Sequence, residues 1–214
     1  MSDLNIHFLA HGSNDHLKME FSINADEVAE KLGRLSNNTG LAISRTVNRM
    51  RPTAIKFLTE GTVEKYDIRK KDVTDSLTKK GYANRNSPYV KLVFEGVHKN
   101  LLDVRSWHGH NVISPTIENH SGIPKFIGAH VLKGKGNVPL TQRPRPFVRT
   151  ARKSGHKAVF IKSPSDIGGI RGSSVPAVPQ EVGNEAVIAK FAERFGTKMR
   201  DRLEHEIQYI IERG

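Results

Sequence analysis

The chain of 214 residues contains no cysteine. This absence excludes disulfide bonds, thiolate catalysis and zinc sites built on cysteine, so stability must come from packing or from partners. The sequence also lacks any apolar run near the roughly 18 residues that a membrane-spanning helix needs. Its first residues lack the charged and apolar regions of a signal peptide. We therefore expect a soluble protein that stays in the compartment where it is made and has no membrane contact.

Acidic residues are missing from a long central stretch. Between Glu118 and Asp166 the chain carries ten lysines and arginines and no carboxylate, so most of the net charge of +12 lies here. Such a block indicates a surface that meets phosphate or an acidic protein. A merely solubilising patch is the alternative, since nothing in the sequence pairs these charges with aromatic residues as in single-strand binders. The cations assigned to this surface are Lys133, Lys135, Arg143, Arg145, Arg149, Arg152, Lys153 and Lys157.

Motifs of enzyme chemistry are mostly missing as well. The run "GGIRG" has neither the spacing nor the following lysine of a phosphate-binding loop, and prolines intervene before any helix that a dinucleotide fingerprint requires. His205 and Glu206 begin an H-E-x-x-H pattern, but Tyr209 stands where the second histidine belongs. His108 and His110 could share one face of a strand and bind a metal, although no further ligand is obvious. We expect no catalytic site, metal or cofactor, and a hydrolase that uses the histidines is the minor alternative.

Helical periodicity is present from Asn24 onward. Asn24 and Glu27 form a capping-box pattern that predicts a helix from about Ala25, weakened or broken at "SNNTG". The apolar spacing then resumes toward Tyr66. Pro52 is expected to kink or divide this second helix.

A stripe of cations is predicted along these N-terminal helices. At about 100° per residue the side chains fall on one face if the helices stay roughly coaxial. The stripe could face an acidic partner, and a solvated helix face is the alternative. Its members are Lys31, Arg34, Arg45, Arg49 and Lys56.

A short helix and two strand pairs are predicted next. Val73 and Leu77 belong to a short helical pattern ended by Gly81. Alternation in "YVKLVFEGV", continued in "LLDVRSW", predicts a β-hairpin. The segments "RPFVRTAR" and "KAVFIKS" predict a second hairpin, with Gly155 at positive φ in its turn. Between the two hairpins, the proline- and glycine-rich segment near 119–146 is expected to be an extended basic loop or arm.

The C-terminal segment has the clearest periodicity. From Asn184 as the cap, apolar residues recur every three or four positions over about 28 residues, which predicts a helix roughly 40 Å long. Its first half, with Phe191 and Phe195, is expected to pack in the core. Beyond Leu203 the apolar residues thin out between charges, so the far end is expected to contact another subunit. The interface residues assigned there are Ile207, Ile210 and Ile211.

Two segments of the chain, "LAISRTVNRMRPTAIKFLTEGTVEKYDIRKKDVTDSL" and "GIRGSSVPAVPQEVG" followed by "RLEHEI", together resemble the prophage minor tail protein Z family. The first segment is similar to that family's alanine- and arginine-rich helix and its following Y-x-I-x-x-x-D-V segment. The second segment is similar to its G-x-S-V-P loop and terminal helix. Together they cover about half the chain in the family's order, and residues 1–23 have no counterpart. The matching residues are Tyr66, Ile68, Asp72, Val73, Gly172, Ser174, Val175 and Pro176, with Arg202 to Ile207.

The resemblance implies a structural virion protein of a long-tailed bacteriophage without enzymatic activity. It implies a place in the neck, where the protein completes the head-proximal end of the tail and helps head joining and placement of the genome end. The implied partners are a tail terminator, a head–tail connector or stopper and further copies of the chain in a ring, with genomic DNA as an additional candidate. The implied location is the virion, after assembly in the host cytoplasm. A basic nucleic-acid-binding protein without enzymatic activity remains the alternative.

Given that resemblance, the glycine- and proline-rich loop before the last helix is interpreted as a docking loop. Glycines allow tight turns, prolines stiffen the exit, and the serine caps or bonds locally. The residues assigned to this loop are Gly168, Gly169, Gly172, Ser174, Pro176 and Pro179.

The order of these elements predicts an α+β fold in one domain over residues 1–214. N-terminal helices should pack on a small, mainly antiparallel sheet, and the long C-terminal helix should close it.

Overall fold

The computed structural model describes residues 6–13, 15–96, 116–117, 124–125, 128–129, 131–135, 138–139, 146–150, 155, 157–162, 169–172 and 176–213. Its first elements are β1 (Ile6–Ser13) and β2 (His16–Ile23), which pair antiparallel over their full lengths. No strand was predicted here, although alternation in "HLKMEFSI" is typical of a half-buried strand. Every second side chain of β2 points into the core, and these are Leu17, Met19, Phe21 and Ile23.

The N-terminal helices begin where the capping pattern predicts. α1 (Ala25–Leu32) follows Asn24, whose side chain accepts a hydrogen bond from the Asp26 amide at 3.0 Å and donates one to Glu27 at 3.2 Å. A 3-10 helix (Gly33–Asn38) covers the predicted break, and α2 (Thr39–Lys65) follows it. Of the two outcomes expected at Pro52, a kink or a division, the division is wrong, because α2 runs through Pro52. Pro52 is exposed, so water can bond the carbonyl group that loses its N–H partner.

Two strands after α3 (Lys70–Asp75) complete a four-stranded sheet. β3 (Leu77–Lys80) and β4 (Tyr89–Glu95) give the order β1-β2-β4-β3, with all neighbours antiparallel. The helix predicted to reach Gly81 is therefore shorter, because Leu77 pairs with Phe94 of β4 and buries its side chain. The strand predicted at "YVKLVFEGV" is confirmed. Its expected hairpin partner at 101–107 lies outside the described residues, and both edges of β4 pair with β2 and β3 instead.

Seven short strands follow β4 among the described residues of the central part of the chain. They are β5 (Thr116–Ile117), β6 (Pro124–Lys125), β7 (Gly128–Ala129), β8 (Val138–Pro139), β9 (Phe147–Thr150), β10 (Lys157–Lys162) and β11 (Ile170–Gly172). Five of them form a second sheet in the order β11-β10-β9-β6-β5. The second predicted hairpin is confirmed as β9 and β10, with Gly155 at φ 65° between them.

The arm predicted near 119–146 is partly paired. β7 pairs with β8 inside it, and Leu132 forms an isolated antiparallel bridge with Tyr66 at the end of α2. The described parts of this segment are therefore held by backbone hydrogen bonds and do not form an open extended arm.

Two helices end the described chain, α4 (Val178–Val182) and α5 (Glu185–Arg213). The cap predicted for the long helix is confirmed, since Asn184 Oδ1 accepts a hydrogen bond from the Ala186 amide at 3.1 Å. α5 lies against the first sheet through Phe195, whose ring centroid is 5.2 Å from that of Phe21 and 4.9 Å from that of Phe191.

Ion pairs connect the helices, and they show that α5 runs antiparallel to α2. Glu64 pairs with Lys190 at 2.6 Å near one end, and Arg49 pairs with Glu206 at 2.6 Å near the other. Lys31 of α1 pairs with Glu204 at 3.5 Å. Two members of the predicted cation stripe, Lys31 and Arg49, thus have their acidic partners on the chain's own C-terminal helix.

One continuous hydrophobic cluster joins the first sheet with α1, α2, α4 and α5. Ala158, Val159 and Ile161 of the second sheet are buried but do not belong to that cluster. The architecture is α+β, as the sequence predicts, with helices packed on an antiparallel sheet and a long helix at the C-terminus.

Candidate interaction surface

The predicted basic residues lie in two described places. Lys133 and Lys135 are exposed next to the bridge at the end of α2, where the Lys133 amide donates to the Lys65 carbonyl at 3.0 Å. Arg149 is exposed on β9, and Lys157 is the first residue of β10. The remaining members of the predicted set lie outside the described residues, and these are Arg143, Arg145, Arg152 and Lys153.

One face of the second sheet combines aromatic and basic side chains. Directly paired residues of antiparallel strands point to the same side of a sheet. Phe147 pairs with Phe160 and Arg149 pairs with Ala158, so these residues share one face. On the other edge of β10, Lys162 pairs with Ile170, which adds both to that face. We call this set the aromatic-basic face, and its residues are Phe147, Arg149, Phe160, Lys162 and Ile170.

Both sides of the second sheet have buried and exposed members, since Ala158 on the aromatic-basic face is 4% exposed and Arg171 on the opposite side is exposed. Val159 and Ile161, which point to the opposite side, are buried. On the aromatic-basic face the two phenylalanine rings are partly exposed, with centroids 6.3 Å apart and planes tilted by 34°. Arg149 and Lys162 are exposed, and Ile170 is 40% exposed. This face therefore presents rings and cations together to solvent.

The charged side chains of this face are all positive. The stretch from 119 to 165 contains no carboxylate in its sequence. Within the described part of the chain, neither Arg149 nor Lys162 forms an ion pair with a carboxylate. A face with free cations and partly exposed rings can bind anions, and it can also contact flat or apolar groups.

The aromatic members of this face were missed by sequence reasoning, which found no aromatic pairing among the basic residues. Phe147 and Phe160 are thirteen positions apart, and only the register of the hairpin brings them together. The turn predicted around Gly155 does not give this pair, because counting outward from Gly155 places Phe147 opposite position 163, whereas the observed register places it opposite Phe160.

The predicted docking loop does not form one loop. Gly172 lies in β11, paired with Phe160, and its φ is not positive. Pro179 is buried in α4, so it packs in the core and offers no docking surface. Gly169 and the exposed Pro176 flank these elements, and Gly168 and Ser174 lie outside the described residues.

The surroundings of α4 explain why the end of this loop belongs to the core. Val178, Glu181 and Val182 are fully buried. Burial, together with the charge of Glu181, raises the pKa of the Tyr66 phenol. This end of the segment is therefore fixed by packing against the end of α2.

The predicted C-terminal interface is wrong for two of its three residues. Ile207 and Ile210 are buried in the main hydrophobic cluster, whereas Ile211 is 45% exposed. The physical reason is that α1 and the 3-10 helix also contact α5, and the Lys31–Glu204 ion pair places the end of α1 beside the second half of α5. Only Ile211 remains available to a neighbour.

The residues considered for hydrolase chemistry lie in different environments. His205 is exposed, whereas Glu206 is buried and accepts hydrogen bonds from Arg49 and Arg202. His108 and His110 lie outside the described residues. No group of three metal-ligating side chains occurs in the part of the chain that the structure describes.

None of the described helices is both long enough and apolar enough to span a lipid bilayer. In comparisons with known proteins, no family model, curated protein or solved structure matches this chain.

Proposed function

We propose that this chain is a structural virion protein of the phage neck. In this role it completes the head-proximal end of the tail, helps to join head and tail, and helps to position the genome end. The observation that carries the proposal is the placement of two family-like segments. Residues 41–77 and 202–207 are far apart in sequence, yet they meet where Arg49 of α2 bonds Glu206 of α5. Two segments that resemble one family thus contribute to one core.

The proposed mode of action is contact with neighbours, without enzymatic activity. The main cluster is the folding core, and the aromatic-basic face supplies a charged surface for an acidic neighbour. That neighbour is genomic DNA or an acidic neck protein such as the tail terminator or the connector. Further copies of the chain would form a ring through head-to-tail contacts, which close when the rotation between subunits allows.

The test is complementation of a phage from which this gene has been deleted. We expect electron micrographs of the deletion lysate to show unjoined heads and tails, and a plasmid copy of the wild-type gene to restore complete particles. The double variant Arg149→Glu, Lys162→Glu should restore fewer. Arg171→Glu is the matched control, because Arg171 is an exposed cation that pairs with Ile161 and so lies on the other side of the sheet.

Two results would contradict the neck role. One is a normal yield of infectious particles from the deletion phage. The other is the absence of the protein from purified virions in mass spectrometry.

A second candidate is a nucleic-acid-binding protein that is not part of the virion. The aromatic-basic face favours it, since rings and cations on one sheet face suit nucleic acid. This candidate predicts that particle assembly proceeds without the protein, and that the protein copurifies with nucleic acid in a salt-dependent manner.

A further inference from the structure

We propose that the aromatic-basic face binds single-stranded nucleic acid. Bases stack on Phe147 and Phe160, while Arg149 and Lys162 hold the sugar-phosphate backbone. The inference narrows the proposed function, on which it rests for its biological setting: of the neighbours named there it selects nucleic acid over an acidic protein, and it specifies a single strand over a duplex.

The register of the strands places the cations at opposite ends of the ring pair. Phe147 and Phe160 face each other across β9 and β10. Arg149 lies two residues beyond Phe147 on β9, and Lys162 lies two residues beyond Phe160 on the antiparallel β10. Two residues of a strand span about 7 Å, so each cation is about that far along the strand from the rings. A strand of nucleic acid that crosses the rings therefore meets a cation on either side.

The surroundings of Phe160 keep its ring accessible. Its partner on β11 is Gly172, which has no side chain to cover the ring from that edge of the sheet. The next pair, Lys162 with Ile170, adds an exposed apolar group beside the cation. On the opposite side of the sheet Val159 and Ile161 are buried, so the two partly exposed rings of the described strands lie on the aromatic-basic face.

The combination of groups favours a single strand over other acidic partners. A duplex stacks its bases on one another and would contact the cations alone, whereas a single strand offers base faces to aromatic rings and phosphates to cations. An acidic peptide would use the cations but has no flat groups for the ring pair. DNA and RNA single strands share this chemistry, and the experiment separates them.

The experiment measures fluorescence anisotropy of labelled oligonucleotides with the purified full chain. Its arms are oligo(dT), oligo(rU), a DNA duplex of equal length, and poly-glutamate as competitor. We expect oligo(dT) or oligo(rU) to bind more tightly than the duplex. Phe160→Leu, which keeps an apolar side chain but removes the ring, should weaken binding about 5- to 150-fold. Phe147→Leu should also weaken binding. Agreement between the two variants would show that the loss does not come from a folding defect in one of them.

The cations are tested by salt dependence. For single strands the slope of log affinity against log salt changes by about 0.7 for each phosphate that the protein no longer neutralises. The double variant Arg149→Glu, Lys162→Glu should therefore flatten the slope by about 1.4. Arg171→Glu, on the other side of the sheet, should change it much less, and thermal melts should be unaltered for the charge variants.

Wild-type affinity in both leucine variants would overturn the inference, as would competition by poly-glutamate as strong as that by oligo(dT). Such a result would leave the neck role to be decided by the virion experiment. Absence of the protein from virions would remove the neck role and leave the measured binding intact. The two failures are therefore distinguishable.

Discussion

At the residue scale, three buried threonines and one buried carboxylate of the helical core have local or paired hydrogen-bond partners. The hydroxyls of Thr46, Thr59 and Thr62 on α2 each donate to the backbone carbonyl four residues earlier, at 2.8 to 2.9 Å. Glu206 is 1% exposed, and Arg49 and Arg202 both bond its carboxylate. A buried carboxylate is tolerated only when such partners replace water. Glu206 therefore stabilises the α2–α5 contact.

Replacing Glu206 by glutamine should destabilise the fold. The change removes the negative charge that two guanidinium groups share, and hydrogen bonds to charged groups contribute about 1.5–3 kcal/mol. Urea unfolding of Glu206→Gln should show a loss of this size. Glu204→Gln is the matched control on the same helix, because the exposed Glu204–Lys31 pair should contribute less than about 1 kcal/mol. Equal effects of the two changes would mean that burial of Glu206 is of no consequence.

Two helical glycines should respond to alanine with opposite signs. A Cβ atom at Gly40 would lie 2.5 Å from the carbonyl oxygen of Arg85. Gly40→Ala must therefore push the backbone at Gly40 away from that at Arg85, which should lower the free energy of unfolding by about 1–3 kcal/mol. At Gly196 in α5 a Cβ atom would meet nothing within 4 Å, and Gly196→Ala should stabilise by about 0.5–1 kcal/mol. Thermal melts of both variants test this, and a stabilised Gly40→Ala would refute the close approach.

At the scale of elements, α5 belongs to one core along most of its length. Phe191 and Phe195 pack at its first half, and Leu203, Ile207 and Ile210 continue the same hydrophobic cluster. Its charged faces are used as well, since Lys190 and Glu206 pair across to α2. The helix therefore holds α1, α2 and the first sheet together, and its last turns contribute to folding.

Replacing Ile207 by alanine should show that the last turns of α5 contribute to folding. Large-to-small changes at buried isoleucines cost about 2–5 kcal/mol, so Ile207→Ala should lower the unfolding midpoint clearly. Ile211→Ala, at an exposed position of the same helix, should stay within about 0.5 kcal/mol of the wild type. Denaturant unfolding of both variants is the measurement. If Ile207→Ala were as stable as Ile211→Ala, the far end of α5 would be free for another subunit, as the spacing of apolar residues predicts.

At the scale of the whole molecule, the charges are distributed in two ways. Around the main core, cations of α1 and α2 are paired with carboxylates of α5. On the second sheet, the described cations Arg149 and Lys162 remain exposed in a stretch without carboxylates. The first arrangement stabilises a fold, whereas the second creates a positive potential that attracts an acidic partner. Most of the net charge of +12 therefore belongs to one stretch of the sequence, residues 119–165, which contains ten lysines and arginines and no carboxylate.

Features that depend on neighbours along the chain could be predicted from the amino-acid sequence. The Asn24 and Asn184 caps, the helices that follow them and the turn at Gly155 result from side chains bonding nearby backbone and from local φ preferences. The missing carboxylates of the central stretch are also a local fact, and they correctly located exposed cations at Lys133, Lys135 and Arg149.

Features that depend on contacts between distant segments of the chain could be recognised only in the tertiary structure. Leu77 leaves its helical pattern because Phe94 offers a strand partner, and Ile207 and Ile210 are buried in the hydrophobic cluster that α5 shares with α1, α2 and the first sheet. Phe147 and Phe160 form a face with Arg149 and Lys162 only through strand register. Burial and pairing of this kind gain their free energy from contacts between remote residues, which local periodicity does not specify.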